Sequence, residues 1–150
     1  MLLRSPRVWL YAAGGWLIVA GLAHGSHHVW SYALENGMIG LREFAMNAMK
    51  QAESFDPLRP SLWRQFRMFS ASFSLLLILA GAVDVLLAAL PAQASVLRAV
   101  ALLGTIFWTV AFVPFAFPEP VLHGVAIAAV AVPLHAIAYV TASVEEHSDR

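Results

Sequence analysis

The polar chemistry of this chain concentrates where long apolar segments begin and end. His24, His27 and His28 close the first apolar segment, and Arg64 and Arg67 lie just before the second. His24 and His28 are four residues apart and therefore share one face of a helix. Imidazole and guanidinium groups at one depth can bind an anionic head group, hold a metal, or serve as an acid–base pair.

Two carboxylates and a further histidine extend this group into an outer polar layer. Glu35 follows the first apolar segment, while Glu119 and His123 open the fourth. If the helix ends are level, these side chains converge on one pocket mouth. The candidate ligand-binding residues are His24, His28, Glu35, Arg64, Arg67, Glu119 and His123. The alternative is a solvated rim whose arginines reach toward lipid phosphates.

A second polar set lies within the apolar segments. Asp84 stands about two turns from the end of its segment, where an unpaired carboxylate costs several kcal/mol. Arg98 lies at comparable depth across a short loop, so we predict an Asp84–Arg98 ion pair. His135 and Tyr139 can join them as an inner polar layer. This layer either pins helices together or acts as a proton relay or ligand-orienting site.

The elements that position these residues are long apolar runs. They cover residues 8–25, 68–90, 96–117 and 121–140. Each has about 18–23 residues, enough for a helix to cross roughly 30 Å of hydrocarbon. Four spans cannot close a β-barrel, so the fold class is all-α. With 60% hydrophobic and 12% charged residues and a mean hydropathy of +0.72, residues 1–150 are predicted to form a single domain, an integral membrane four-helix bundle.

Prolines and one serine predict where the helices end or bend. Pro91 ends the second run, and Ser95 is placed to cap the third helix. Pro120 suits the first position of the fourth helix. Pro114 and Pro133 lie inside spans and are expected to kink them.

The connection between the first two runs has a helical pattern of its own, over about residues 34–53. The apolar stripe of this pattern consists of Leu34, Met38, Leu41, Ala45, Ala48 and Ala52. Gly37 and Gly40 predict a break near its start. We expect an amphipathic interfacial helix that either covers one end of the bundle or lies on the membrane surface.

Composition excludes several chemistries. The chain has no cysteine, which removes disulfides, thiolate nucleophiles and iron–sulfur clusters. A formal net charge of zero argues against nucleic acid as a partner. We predict no resident cofactor, although His24, His28 and His123 are conceivable metal ligands, and His24 with His123 conceivable haem ligands.

The first apolar run also bears on targeting. It follows Arg4 and Arg7 and has about 18 residues, which is longer than the apolar part of a cleavable signal. We therefore predict an uncleaved first span. Four spans place both termini on one side, and the basic N-terminal flank predicts that this side is cytoplasmic.

Short motifs spread over nearly the whole chain resemble a family of small, uncharacterised bacterial four-helix integral membrane proteins. They occupy residues 21–24 (GLAH), 44–50 (FAMNAMK), 61–66 (SLWRQF) and 112–120 (FVPFAFPEP). In that family a small residue usually follows the tryptophan by a few positions, whereas Arg67 and Met68 stand there in this chain. The resemblance implies a multi-pass fold in the cytoplasmic (inner) membrane and no particular chemistry.

Three functions follow from these patterns. The preferred one is a binder of a hydrophobic or amphiphilic small molecule, lipid- or quinone-like, held between the helices below the outer polar layer. A second is a small membrane enzyme, an isomerase or lipid-modifying catalyst, using a His–Glu acid–base pair. A third is an accessory subunit of a larger membrane complex, or a homodimer formed through Gly21 and Gly25.

Overall fold

A computed structural model of the chain describes residues 5–30, 40–51, 61–118 and 121–148. Over these residues the fold is all-α, as predicted, and contains no strand. The helices are α1 (Pro6–His28), α2 (Leu41–Gln51), α3 (Leu62–Ala89), α4 (Ala94–Ala116) and α5 (Leu122–Ser148).

Four of these helices, α1, α3, α4 and α5, are long and apolar enough to cross a membrane. Each contains most or all of one of the four apolar runs, so the number and order of the predicted long apolar helices are confirmed. The chain is thus compatible with a multi-pass membrane protein. With 28 residues, α3 is about 42 Å long at 1.5 Å per residue, which exceeds the roughly 30 Å of a hydrocarbon core.

Capping decides where the helices begin. The Ser61 hydroxyl oxygen accepts a hydrogen bond from the Arg64 backbone N–H at 3.3 Å, so α3 starts six residues before its apolar run. The predicted cap at Ser95 is wrong, because α4 already begins at Ala94 and its N-cap is Gln93, without a side-chain hydrogen bond. Backbone N–H groups there bond to the Gln93 carbonyl oxygen instead.

Three prolines lie in or after helices as the sequence predicts, and the kinks expected at Pro114 and Pro133 stay a prediction. Pro91 follows the end of α3, Pro114 lies inside α4, and Pro133 lies inside α5. The Phe117–Pro118 peptide bond after α4 is cis. Pro120 lies outside the described residues.

The connection between α1 and α3 contains a shorter helix than the sequence pattern predicts. Gly40 has a φ of 65°, a left-handed conformation that glycine adopts without strain, and α2 begins at the next residue. The remaining positions of the predicted helix, 34–39 and 52–53, lie outside the described residues. The predicted stripe is also not the buried face: Met46 is 4% exposed, whereas Leu41, Ala45 and Ala48 are exposed.

Packing divides the chain into two compact units. The first unit comprises Met1–Ala20 and Ile78–Arg150, and the second comprises Gly21–Leu77. In the first unit, α4 and α5 pack along each other. A small-residue core joins α1, α3, α4 and α5 through Leu10, Ala88, Leu97, Ala101, Ala138 and Ala142.

Close backbone contact brings α1 and α3 together in the first unit. A Cβ atom added at Gly14 would lie 2.5 Å from the Gly81 carbonyl oxygen, and one added at Gly81 would fall on the Gly14 carbonyl oxygen. The backbone of either helix could move away only if α1 and α3 separated. The contact therefore requires glycine at both positions.

Arg7 holds the end of α3 in the same unit. Its guanidinium group donates to the carbonyl oxygens of Ala88 at 2.9 Å, Ala92 at 2.8 Å, and Leu90. The last carbonyls of a helix have no partner within the helix and carry partial negative charge. A cation from α1 therefore supplies the cap that α3 lacks in its own sequence.

Candidate functional site

Each unit contains one polar site, and the site of the second unit is an open cleft. The cleft has a volume of about 630 Å³. The residues that line it are His28, Val29, Trp63, Arg64, Arg67, Met68 and Ala71. Three residues predicted to bind a ligand, His28, Arg64 and Arg67, therefore meet in one place.

Helical spacing explains how α3 forms one wall of the cleft. Arg64, Arg67, Met68 and Ala71 follow the spacing i, i+3, i+4 and i+7, which places them on one helix face. The two arginines come from the first turns of α3, and the apolar side chains follow along the same face. This wall therefore runs from cationic to apolar along the helix axis.

Two buried rings complete the cleft. Trp63 is 6% exposed and stacks against Phe66, with 5.8 Å between ring centroids. His28 is the last residue of α1 and is 7% exposed. The Lys50 ammonium group of α2 lies 5.8 Å from the centroid of the Trp63 ring, a cation–π contact. Sequence reasoning did not include Trp63 among the candidate ligand-binding residues, although its position next to Arg64 was the available signal.

The arginines are the exposed charges of this site. Both Arg64 and Arg67 are exposed, and neither guanidinium group has an ion-pair partner within the described residues of the second unit. Guanidinium groups present a planar fork of donors that matches phosphate or carboxylate oxygens. The arrangement can hold an anionic group next to an apolar wall.

His24 lies beside α3 rather than among the residues lining the cleft. Its Nε2 shares a hydrogen bond of 3.0 Å with the Ser70 hydroxyl, and its ring meets Phe73 edge-on at 5.3 Å. The Ser74 hydroxyl in turn donates to the Ser70 carbonyl oxygen at 3.2 Å. Since Ser70 follows Arg67 by three residues, His24 stands about one helical turn from the arginines.

The structure describes one further member of the predicted outer layer, His123. His123 belongs to the first unit, where its side chain is exposed. Glu35 and Glu119 lie outside the described residues. Their convergence with His24 and the arginines stays a prediction.

The site of the first unit is a buried acid–base pair. Asp84 of α3 is 7% exposed and His135 of α5 is 1% exposed. The His135 Nε2 and the Asp84 Oδ2 are 3.0 Å apart, and the His135 Nδ1 lies 2.8 Å from the Ala131 carbonyl oxygen. The partner that the structure provides for Asp84 is thus His135, and the Asp84–Arg98 pair stays a prediction.

Glycine makes the space for this imidazole. A Cβ atom added at Gly104 of α4 would lie too close to the His135 ring to be accommodated, so the ring packs directly against the α4 backbone. The Asp84 Cβ is in turn 3.0 Å from the position of a Cβ at Gly14 of α1. Sequence reasoning missed Gly104, although an isolated glycine in an apolar helix indicates close packing.

The two other residues of the predicted inner layer are Tyr139 and Arg98, and their part in that layer stays a prediction. Tyr139 is half-buried and packs against the small-residue core. Arg98 is half-buried in the second turn of α4. Trp16 of α1 donates from Nε1 to the Ile127 carbonyl oxygen of α5 at 3.1 Å, a further tie between helices of this unit that sequence reasoning missed.

These sites have to be interpreted from their own geometry. Comparison of the chain with protein-family models, with curated proteins and with solved structures found no match. The resemblance to small bacterial four-helix membrane proteins therefore stays a prediction from short motifs.

Proposed function

We propose that this chain is an integral membrane protein that binds an amphiphile with an anionic head group in the cleft of the second unit. The head group carries a phosphate or a carboxylate, and the tail of the molecule is an acyl chain or a comparable hydrocarbon. The observation that carries the proposal is the meeting of Arg64, Arg67 and His28 at the end of an apolar wall. Lipid-like ligands have a matching arrangement, with an anionic head group followed by an apolar tail.

The length of α3 supports a position for the arginines at head-group level. About 42 Å of helix against a hydrocarbon core of roughly 30 Å leaves about 12 Å outside the core. Because Arg64 and Arg67 belong to the first turns of α3, they lie in this excess. Arginine stems can then extend over apolar surface while the guanidinium groups remain in the polar region.

The surface of α2 supports a place in the plane of the membrane. Leu41 and Phe44 are 86% and 73% exposed, and with Ala48 they lie within about 60° around an ideal helix. Glu43 is also exposed and lies about 130° around the helix from the centre of this apolar face. A helix with one uncovered apolar face and one polar face lies at the boundary between lipid and water. In this proposal α2 is the interfacial helix beside the cleft, attached to Trp63 through Lys50.

The test measures which lipid stays on the purified protein. The full chain is extracted in detergent, supplied with phosphatidylglycerol or phosphatidylcholine, and examined by native mass spectrometry. We expect the wild type to retain phosphatidylglycerol in preference to phosphatidylcholine. An Arg64→Gln/Arg67→Gln variant should bind phosphatidylglycerol at least about tenfold more weakly, because a hydrogen bond to a charged group contributes about 1.5–3 kcal/mol and 1.4 kcal/mol is tenfold.

Arg98→Gln is the matched control, since it removes the same kind of charge from α4 of the first unit and does not line the cleft. It should retain phosphatidylglycerol as the wild type does. A fatty acid used as the probe in place of phosphatidylglycerol distinguishes a carboxylate from a phosphate preference. Equal retention by the wild type and the double variant, or an equal loss in Arg98→Gln, contradicts the proposal.

A further inference from the structure

The inner pair of the first unit, Asp84 with His135, takes no part in the proposed ligand site. These two are the buried polar or charged side chains among the described residues of that unit. A buried charge is costly unless a partner neutralises it. The number of protons that the pair holds therefore has to agree with the hydrogen bonds that it makes.

The Ala131 carbonyl oxygen determines which imidazole nitrogen carries a proton. A carbonyl oxygen only accepts hydrogen bonds, so at 2.8 Å the His135 Nδ1 must donate to it. With Nδ1 protonated, a neutral imidazole has only a lone pair at Nε2. That lone pair would face a carboxylate oxygen of Asp84 at 3.0 Å, which is repulsive without a proton between them.

Two arrangements satisfy both contacts. In one, an imidazolium Nε2–H donates to the Asp84 carboxylate. In the other, a carboxylic acid of Asp84 donates to the neutral Nε2. Both arrangements contain one proton beyond a neutral imidazole and an ionised carboxylate, and both have a net charge of zero.

We propose that Asp84 and His135 together form a proton-binding site in the interior of the first unit, and that the site holds one proton whenever the unit is folded. Loss of that proton leaves a net negative charge with opposed lone pairs. Uptake of a second proton leaves a net positive charge. Each change is opposed by the surrounding apolar helices.

Among the described residues, no buried side chain of α1 or α4 in this unit is charged and able to neutralise Asp84 in place of the shared proton. The buried side chains that α1 and α4 contribute to this unit are Pro6, Leu10, Ala13, Leu17, Leu97, Ala101 and Trp108. The other titratable side chains described on α1, α4 and α5 of this unit are Arg7, Tyr11, Arg98, His123, Tyr139, Glu145 and His147. Of these, Arg7 is engaged at the end of α3, Tyr11 is exposed, and Tyr139 packs in the small-residue core. Arg98 precedes Gly104 by six residues, about 240° around an ideal helix, and so lies on another face of α4.

The proton and the packing of α5 are linked by this geometry. Asp84 belongs to α3 and His135 to α5, and the ring lies on α4 at Gly104. Separation of α5 from α3 exposes both groups to water and removes the need to share a proton. Proton binding therefore favours the packed arrangement, and packing favours proton binding by the same factor.

The first experiment examines the wild-type chain directly. Histidine labelled with ¹⁵N reports by NMR which ring nitrogens of His135 carry protons, and infrared spectroscopy reports whether a buried carboxyl group is protonated. We expect Nδ1 of His135 to be protonated together with either a protonated Nε2 or a protonated carboxyl group. A neutral imidazole beside an ionised Asp84 overturns the proposal.

The second experiment counts protons on unfolding by sodium dodecyl sulfate in weakly buffered solution at about pH 8, where an unfolded imidazole is neutral and an unfolded carboxyl group is ionised. The wild type should release about one more proton than Asp84→Asn, whose amide donates to Nε2 without needing a bound proton. Equal release from the two proteins overturns the proposal. If Asp84→Asn does not fold, the spectroscopic result on the wild type decides.

Discussion

The two polar sites place charge in different environments. Asp84 and His135 are 7% and 1% exposed and satisfy one another at 3.0 Å, inside the first unit. Arg64 and Arg67 are exposed and face a cleft of about 630 Å³ in the second unit. Polar groups that neutralise each other contribute to the arrangement of helices. Polar groups that face a cleft are available to a ligand, and this difference separates the proposed proton site from the proposed ligand site.

The glycines of the first unit differ in how much space each has for an added Cβ atom. Gly14, Gly81 and Gly104 lie against backbone or a fixed ring, where a methyl group has no space. A Cβ at Gly15, next in the chain to Gly14, meets nothing within 4 Å. The inner site is therefore expected to be sensitive to a single added methyl group at Gly14, Gly81 or Gly104, whereas Gly15 should tolerate one.

The largest effect is expected at Gly14. Gly14→Ala places a Cβ 2.5 Å from the Gly81 carbonyl oxygen, so α1 and α3 must separate, and because the clash is with backbone the cost should be about 3 kcal/mol or more. Gly15→Ala is the matched control and should be neutral or stabilising by up to about 1 kcal/mol, since alanine favours helix. Unfolding by sodium dodecyl sulfate, followed by circular dichroism, measures both. Similar stability of the two variants would show that the Gly14–Gly81 contact does not hold the helices together.

A smaller loss is expected at Arg7. Arg7→Gln removes the guanidinium group that donates to three carbonyl oxygens at the end of α3. It should lower the free energy of unfolding by about 1.5–3 kcal/mol. Arg7→Lys keeps the charge but not the fork, so its loss should be intermediate. The same unfolding assay ranks the three proteins. If Arg7→Lys and Arg7→Gln behave alike, the contribution comes from geometry and not from charge at the end of α3.

The smallest effect on stability is expected in the cleft. Arg64→Gln/Arg67→Gln should change the free energy of unfolding by no more than about 0.5 kcal/mol, because both side chains are exposed. The same variant should lose phosphatidylglycerol, as proposed above. A loss of stability comparable to that of Arg7→Gln would remove the distinction between the two sites and make the arginines structural.

The sequence was sufficient for the spanning helices because that inference needs only length and hydropathy. A run of apolar residues long enough for the hydrocarbon core has one structural solution, whichever neighbours it later meets. Helix ends were predicted less well, since they depend on single side chains. Ser61 caps α3 before its apolar run begins, and the N-cap residue of α4 is Gln93 rather than Ser95.

The candidate site was predicted in part for a similar reason. His28, Arg64 and Arg67 could be grouped because each lies at the end of an apolar run. The buried face of α2 could not be predicted from its stripe, because Met46 is covered by tertiary packing while Leu41 is left exposed. Hydrophobic periodicity identifies an apolar face but not which part of it the protein covers.

What the sequence determined by itself is the all-α class, the order of four apolar helices, and the depth of the charged residues along them. Only the tertiary structure decided that Asp84 meets His135 and that Gly104 supplies the space for its ring. Depth follows from the position of a residue in its own helix at 1.5 Å per residue. Which polar residues contact each other depends on the rotation of each helix and on which helices are neighbours. Both are determined by contacts between residues far apart in the chain.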